Sequence, residues 1–118
     1  PHLGASTPEA EDNCAAMAAR ELVDYIENGN VTHSVNFPDV QAPRASAARL
    51  CVLHENSEGV ISAITSVISG EGINIANLLD KSKKDKAYML IDLDAVPAEK
   101  TVREIAALKG VIRVRLLA

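Results

Sequence analysis

At 118 residues the chain can bury one working core and is too short for a second full domain. Hydrophobic residues make up 47% with 3% aromatic and no Trp, so the core must come from Val, Ile, Leu and Ala. The net charge of −4, spread without a basic stripe, argues against nucleic acid as a partner. Every apolar stretch breaks before it could span a bilayer, so a soluble chain with no membrane partner is expected.

Thr7, Pro8 and Glu9 read as an N-cap, a first-turn proline and a first-turn acid. Ala15, Ala18, Ala19, Leu22, Val23 and Ile26 follow at helical spacing and form one apolar stripe, ending near Asn28 and Gly29. Glu11, Arg20, Glu21, Asp24 and Glu27 make the wet face. Because a lone amphipathic helix is marginal, this one calls for a partner surface. Chain 30–48, with Pro38 and Pro43, reads as a linker whose only strand-like run is Val35, Asn36, Phe37. Phe37 packs on a neighbouring domain or covers a local apolar spot. Cys14 and Cys51 fall in a helix and a strand with no CxxC pair, as expected of buried free thiols in a cytoplasmic protein, a disulfide or metal pair being the alternative.

From residue 49 the pattern is regular. Leu50–Leu53 is an apolar strand, and Gly59–Ser69 a helix with Val60, Ile61, Ile64, Val67 and Ile68 inward, closed by Gly70 and Gly72. A second strand runs from Ile73 to about Ser82, with Lys81–Asp85 as a polar hairpin tip. The third strand places Ala87, Met89, Ile91 and Leu93 opposite Tyr88, Asp92 and Asp94. Pro97 and Glu99 open a helix with the stripe Val102, Ile105, Ala106 and the Lys109 stem, and Gly110 stops it. The last strand alternates Ile112, Val114, Leu116 against Arg113, Arg115. The order is βαββαβ, an α+β ferredoxin-like fold: a four-stranded antiparallel sheet with both helices on one face, preceded by the amphipathic helix and linker. Arg113, Arg115 and Asp92 predict that part of the other face is solvated.

The chemistry concentrates in His54, Glu55, Asn56, Ser57, Glu58, Gly59 and Val60, where the first strand hands over to its helix. A helix start offers free N–H groups and a positive dipole end to a carboxylate or phosphate. Gly59 allows close approach, and Asn56 and Asn74 add amides that both donate and accept, a set suited to a zwitterion. On residue chemistry alone, capping by Asn56 or Ser57 and a turn role for Asn74 is the favoured reading. His54, Glu55 and Glu58 scatter around a turn, so no metal site is expected. The lysines at 81, 83, 84 and 86 read as a tip that discourages edge pairing.

His54, Glu55, Asn56 and Gly59, followed by Gly72, Asn74 and Ala76, resemble the ACT-domain family. Pro1–Thr7 resembles the end of the catalytic region of the D-2-hydroxyacid dehydrogenase family, and Val35, Asn36, Phe37, Pro38 the segment leading into an ACT domain. The resemblance implies that residues 1–29 close a catalytic region, 30–48 link, and 49–118 form an ACT regulatory domain. It implies L-serine or a similar small amino acid as effector, bound between two copies, with His54, Asn56, Gly59, Val60 and Asn74 at the effector positions and a hinge within 38–48. Two copies would meet through their first strands and helices, with His54 and Asn56 facing Asn74 of the partner subunit. It further implies that His2 is an acid/base only in an intact NAD-dependent enzyme. No GxGxxG occurs here, so this chain, which starts without Met and reads as a piece of something longer, is expected to bind no cofactor and catalyse nothing alone. The competing expectation is an oligomerisation module with a vestigial ligand site.

Overall fold

The computed structural model describes residues 8–32, 40–43 and 46–118, with side chains from Met17 onward apart from Ala18. His2 and the Val35–Pro38 segment lie outside the described residues, as does the Cys14 side chain. The elements are α1 (Pro8–Asn28), β1 (Ala48–Glu55), α2 (Val60–Gly70), β2 (Ile75–Lys83), β3 (Lys86–Leu93), α3 (Glu99–Ala106) and β4 (Val111–Leu117).

All strand pairs are antiparallel and the order is β2-β3-β1-β4, so β1 is central and β2 and β4 are edges. Period-two alternation sends Ala48, Leu50 and Val52 of β1 and Met89, Ile91 and Leu93 of β3 to one face. Val60, Ile64 and Ile68 of α2 and Ile105 of α3 cover it, each at 5% exposure or less. Fully burying such a side chain contributes roughly 1.5–3 kcal/mol, so this row carries the domain's stability. The Glu71 carboxylate accepts the Ala98 N–H at 2.9 Å and ties the end of α2 to the start of α3.

Several local expectations are corrected. Ile61 is 43% exposed, because the inward residues of α2 recur every four and Ile61 falls off that row. α3 ends at Ala106, which is exposed, as is Lys109 beyond it, and Leu108 packs on the core instead. A β-bulge shifts the β1–β4 register between Leu53 and His54, pairing Leu53 with Arg113 and His54 with Val111. Ile112 is left over by that shift and stands exposed, while Val111 packs against the core. The hairpin tip is only Lys84 and Asp85, since Lys83 pairs with Lys86.

The larger correction concerns the second sheet face, which is covered over its β1–β3 centre, while Arg113 and Lys81 at its margins stay exposed as the expected solvated part. Val31 and Val40 bridge each other through two 2.7 Å backbone bonds, and with Ala42 and Tyr25 they pack over Cys51, Tyr88 and Leu90. Arg49, at 0% exposure, donates to Asp92 and also to the carbonyls of Asn28, Ala42 and Pro43 at 2.9, 2.9 and 3.0 Å. Asp92 is therefore a buried ion-pair partner, and the candidate hinge contains residues, 40–43, that are held to the sheet. Asp24, expected wet, accepts from the side chains of Asn28 at 3.0 Å and Asn30 at 2.9 Å. Arg115 lies over the Tyr25 ring, 4.4 Å from its centre, and donates to the Tyr25 and Ile26 carbonyls at the end of α1. The stripe residues Leu22, Val23 and Ile26 stay more than half exposed, so the apolar face of α1 is uncovered there.

Candidate functional site

The β1–α2 junction is built by backbone geometry. Gly59 caps α2 at φ 84°, a conformation costly for any residue with a Cβ, and accepts the Ala63 N–H at 2.9 Å. No side chain caps α2 and no acid lies in its first turn, so its leading N–H groups remain available to an anion. A Cβ placed on Gly59 would meet nothing within 4 Å, so the space before the helix is open. Val60 points its side chain into the core at 5% exposure, leaving only its backbone for this site.

Asn56 is pinned to the β2–β3 tip: its N–H donates to the Asp85 carbonyl at 2.9 Å and its Nδ2 to the Lys84 carbonyl at 3.1 Å. The side chain is exposed, and its Oδ1 can accept a cationic N–H.

His54 lies on the helix side of β1, 2% exposed. Its Nδ1 stands 2.7 Å from the Glu55 carbonyl and its Nε2 2.8 Å from Asp80 Oδ1. Asp80 was missed from sequence, although its signal was there: it shares the parity of core-packed Leu78 on β2, an acid in an apolar row. The reach from His54 to Asp80 passes over β3 at Ala87, the residue paired with both His54 and Ser82, whose small side chain leaves the space.

Asn74 is elsewhere. Its Nδ2 donates to Asp94 Oδ2 at 2.6 Å and its carbonyl accepts the Asp94 N–H at 3.1 Å, at the end of the sheet where β2 starts and β3 stops. Eight residues of strand place it roughly 25 Å from Asn56. One chain therefore brings together His54, Asn56, Gly59 and the Val60 backbone, and leaves Asn74 apart. Among the described residues no three His, Cys, Asp or Glu side chains converge as metal ligands, and no helix is long and apolar enough to cross a membrane.

A split βαββαβ sheet with an uncapped glycine start to its first helix defines a known class, and residues 50–113 match the family described as AHAS small subunit-like ACT domain. The chain belongs to the ACT-domain family. Over 99% of its length it is 38% identical to D-3-phosphoglycerate dehydrogenase of Escherichia coli K12, and 31% identical to that of Haemophilus influenzae. D-3-phosphoglycerate dehydrogenase 1 of Saccharomyces cerevisiae is 33% identical over 81% of the chain. The chain spans 29% of the length of the two bacterial relatives and 21% of the yeast one, so it is similar to one part of these enzymes.

The ACT domain from GTP pyrophosphokinase of Chlorobium tepidum shares the fold at a TM-score of 0.52 and 20% identity, over 59% of this chain and 95% of that one. The C-terminal domain of the MgtC protein from Mycobacterium tuberculosis does so at 0.51 and 18%, over 65% and 90%.

Proposed function

We propose that this chain is the amino-acid-sensing region of an NAD-dependent D-3-phosphoglycerate dehydrogenase. In that role it binds L-serine between two copies and exerts feedback on the first step of serine biosynthesis. The observation that carries the reading is the open, uncapped start of α2 at Gly59. Its N–H groups suit a carboxylate, and Asn56 Oδ1 beside them suits an ammonium. NAD belongs to the remainder of the parent enzyme.

The sheet supports a corrected mode of pairing. β1 is hydrogen-bonded on both sides and has no edge to offer, whereas β2 is an edge strand. Antiparallel pairing of β2 with its copy reverses the ends of the second sheet. That brings Asn74 of the partner subunit toward the Gly59 end, closing the roughly 25 Å gap that one chain leaves. Because Arg49 and Arg115 fasten α1 to the same sheet, a ligand that changes how two sheets pair would move α1 with them.

A second reading, an oligomerisation module with a vestigial site, is favoured by one feature: His54 and Asn74 both spend side-chain bonds inside the chain. Calorimetric titration with L-serine separates the two, backed by sedimentation of Asn56→Ala and Asn74→Ala. A sensor releases heat that either substitution removes. A purely structural dimer gives none and sediments unchanged in both variants.

A further inference from the structure

The hydrogen-bonding directions of the edge strand β2 follow from the turn that ends it. Lys83 pairs with Lys86 across a tip of two residues, and so short a loop closes only as a mutually hydrogen-bonded pair. Lys84, at φ 58°, has the positive dihedral of such a turn. Counting back in twos, Lys81 and Leu79 also bond to β3, so Leu78, Asp80 and Ser82 direct their N–H and C=O groups away from the sheet. On the side-chain level Leu78 packs on the helix-covered core and Leu79 on the outer cluster, and both stay half-buried.

We propose that two copies of the chain join through β2 in one register, antiparallel about an axis at Leu79. The inference rests on the sensing function proposed above and deepens it, because the register states which residues of two chains enclose the ligand. A two-fold axis that makes neighbouring strands antiparallel stands perpendicular to the sheet, so both helix layers lie on one side and the axis falls on a residue. Leu79 is the midpoint of Ile75–Lys83, and there all 9 residues find partners. The outward groups of Leu78 meet those of Asp80 of the partner subunit, the two Leu79 side chains meet at the axis, and Lys81 faces Asn77 of the partner subunit. An axis at Asp80 would set that carboxylate against its own copy. An axis at Leu78 would leave Ser82 and Lys83 opposite chain that precedes the strand.

The bulge near Ala76 takes up one residue, so Asn74 of the partner subunit arrives level with Lys83 and Lys84. Asn56 donates to the Lys84 carbonyl, which brings the two amides to one end of the joined sheet, the end at which Gly59 opens α2. The site is complete twice in the dimer, once at each end of the paired strands.

Cysteine cross-linking under mild diamide oxidation tests the register on the chain as it stands, with wild type as the baseline. Leu79→Cys should form covalent dimer about tenfold faster than Lys81→Cys or Asn77→Cys alone, because residues facing each other across a non-hydrogen-bonded pair lie within disulfide reach and distant ones do not. Lys81→Cys and Asn77→Cys should cross-link when mixed. Both positions are exposed, so this arm reads the register even if Leu79→Cys fails to fold. Self-linking of Lys81→Cys or Asn77→Cys at the rate of their mixture, or no cross-linked species in either arm, overturns the register. Calorimetry with L-serine is read separately: cross-linking without serine uptake leaves the register standing and removes the sensing function, whereas serine uptake without cross-linking does the reverse.

Discussion

Arg49 and Asp92 stand opposite each other in the β1–β3 register, and their side chains close as a two-bond pair, Nε to Oδ1 at 2.6 Å and Nη2 to Oδ2 at 3.0 Å. The remaining guanidinium donors reach backward along the chain to the carbonyls of Asn28, Ala42 and Pro43. One buried cation thereby joins the end of α1, the following segment and the centre of the sheet.

Breaking that pair should be expensive. Arg49→Met or Asp92→Leu leaves an uncompensated buried charge, and each should lose about 3–5 kcal/mol in urea unfolding. The double variant Arg49→Met/Asp92→Leu should lose less than the two singles summed, since neither charge is then stranded. Single losses below about 1 kcal/mol would show that the pair is solvated in solution.

Two glycines should behave in opposite ways when changed to alanine. Gly29 has φ 75°, and its new Cβ would run into Cys51 Sγ and lie 3.3 Å from the Tyr88 hydroxyl. Its substitution should cost roughly 2 kcal/mol or more of stability, from backbone strain and overpacking together. Gly59 at φ 84° has open space around it, so stability should fall by only about 1 kcal/mol. Serine binding should nevertheless be abolished, because the methyl group would stand where the ligand approaches. Thermal melts beside calorimetry of both variants check the contrast.

Alkaline pH should weaken the outer-face cluster. Burial, the largest cause in each case, raises the Cys51 thiol above its ordinary 9.0 and the Tyr88 hydroxyl above its ordinary 10.0, and for Tyr88 the neighbouring Cys51 adds to the rise. Both groups hold their protons more tightly folded than unfolded. Their contribution is therefore complete below those ordinary values and is lost as pH climbs beyond them. Melting temperature should be flat from neutrality to about pH 8.5 and then decline. Tyr88→Phe, although it forfeits the 2.7 Å bond to the Gly29 carbonyl, should decline less steeply.

What could be read in advance follows from periodicity. The rows Leu50 and Val52, Met89 and Ile91, and Val60, Ile64 and Ile68 repeat at two and at about 3.6, so the centre of the helix-covered face was legible, while Ile61, Ala106 and Ile112 at its margins were misplaced. Its opposite was not. Val31 and Val40 sit in a polar, proline-bearing stretch, and their burial depends on a bridge that no local pattern announces. Asp92 read as a solvated charge because its pairing with Arg49 spans 43 positions. Ile112 broke the alternation through a bulge, which shifts parity without a marker in composition.

At the candidate site, Gly59 and the turn before it were legible as a helix start, while Asp80 passed unnoticed within a strand whose facing had not been assigned. The distance from Asn56 to Asn74 emerged only once strand direction and register were known.

The intersubunit site is tested most directly by complementation between two damaged chains. Asn56→Ala and Asn74→Ala should each fail to bind L-serine. After mixing and exchange of subunits, half of the dimers would carry one intact site, with Asn56 from one copy and Asn74 from the other, so calorimetry should recover binding at about one serine per mixed dimer. A mixture as silent as its components, although sedimentation shows that mixed dimers have formed, would contradict a ligand site shared between two sheets.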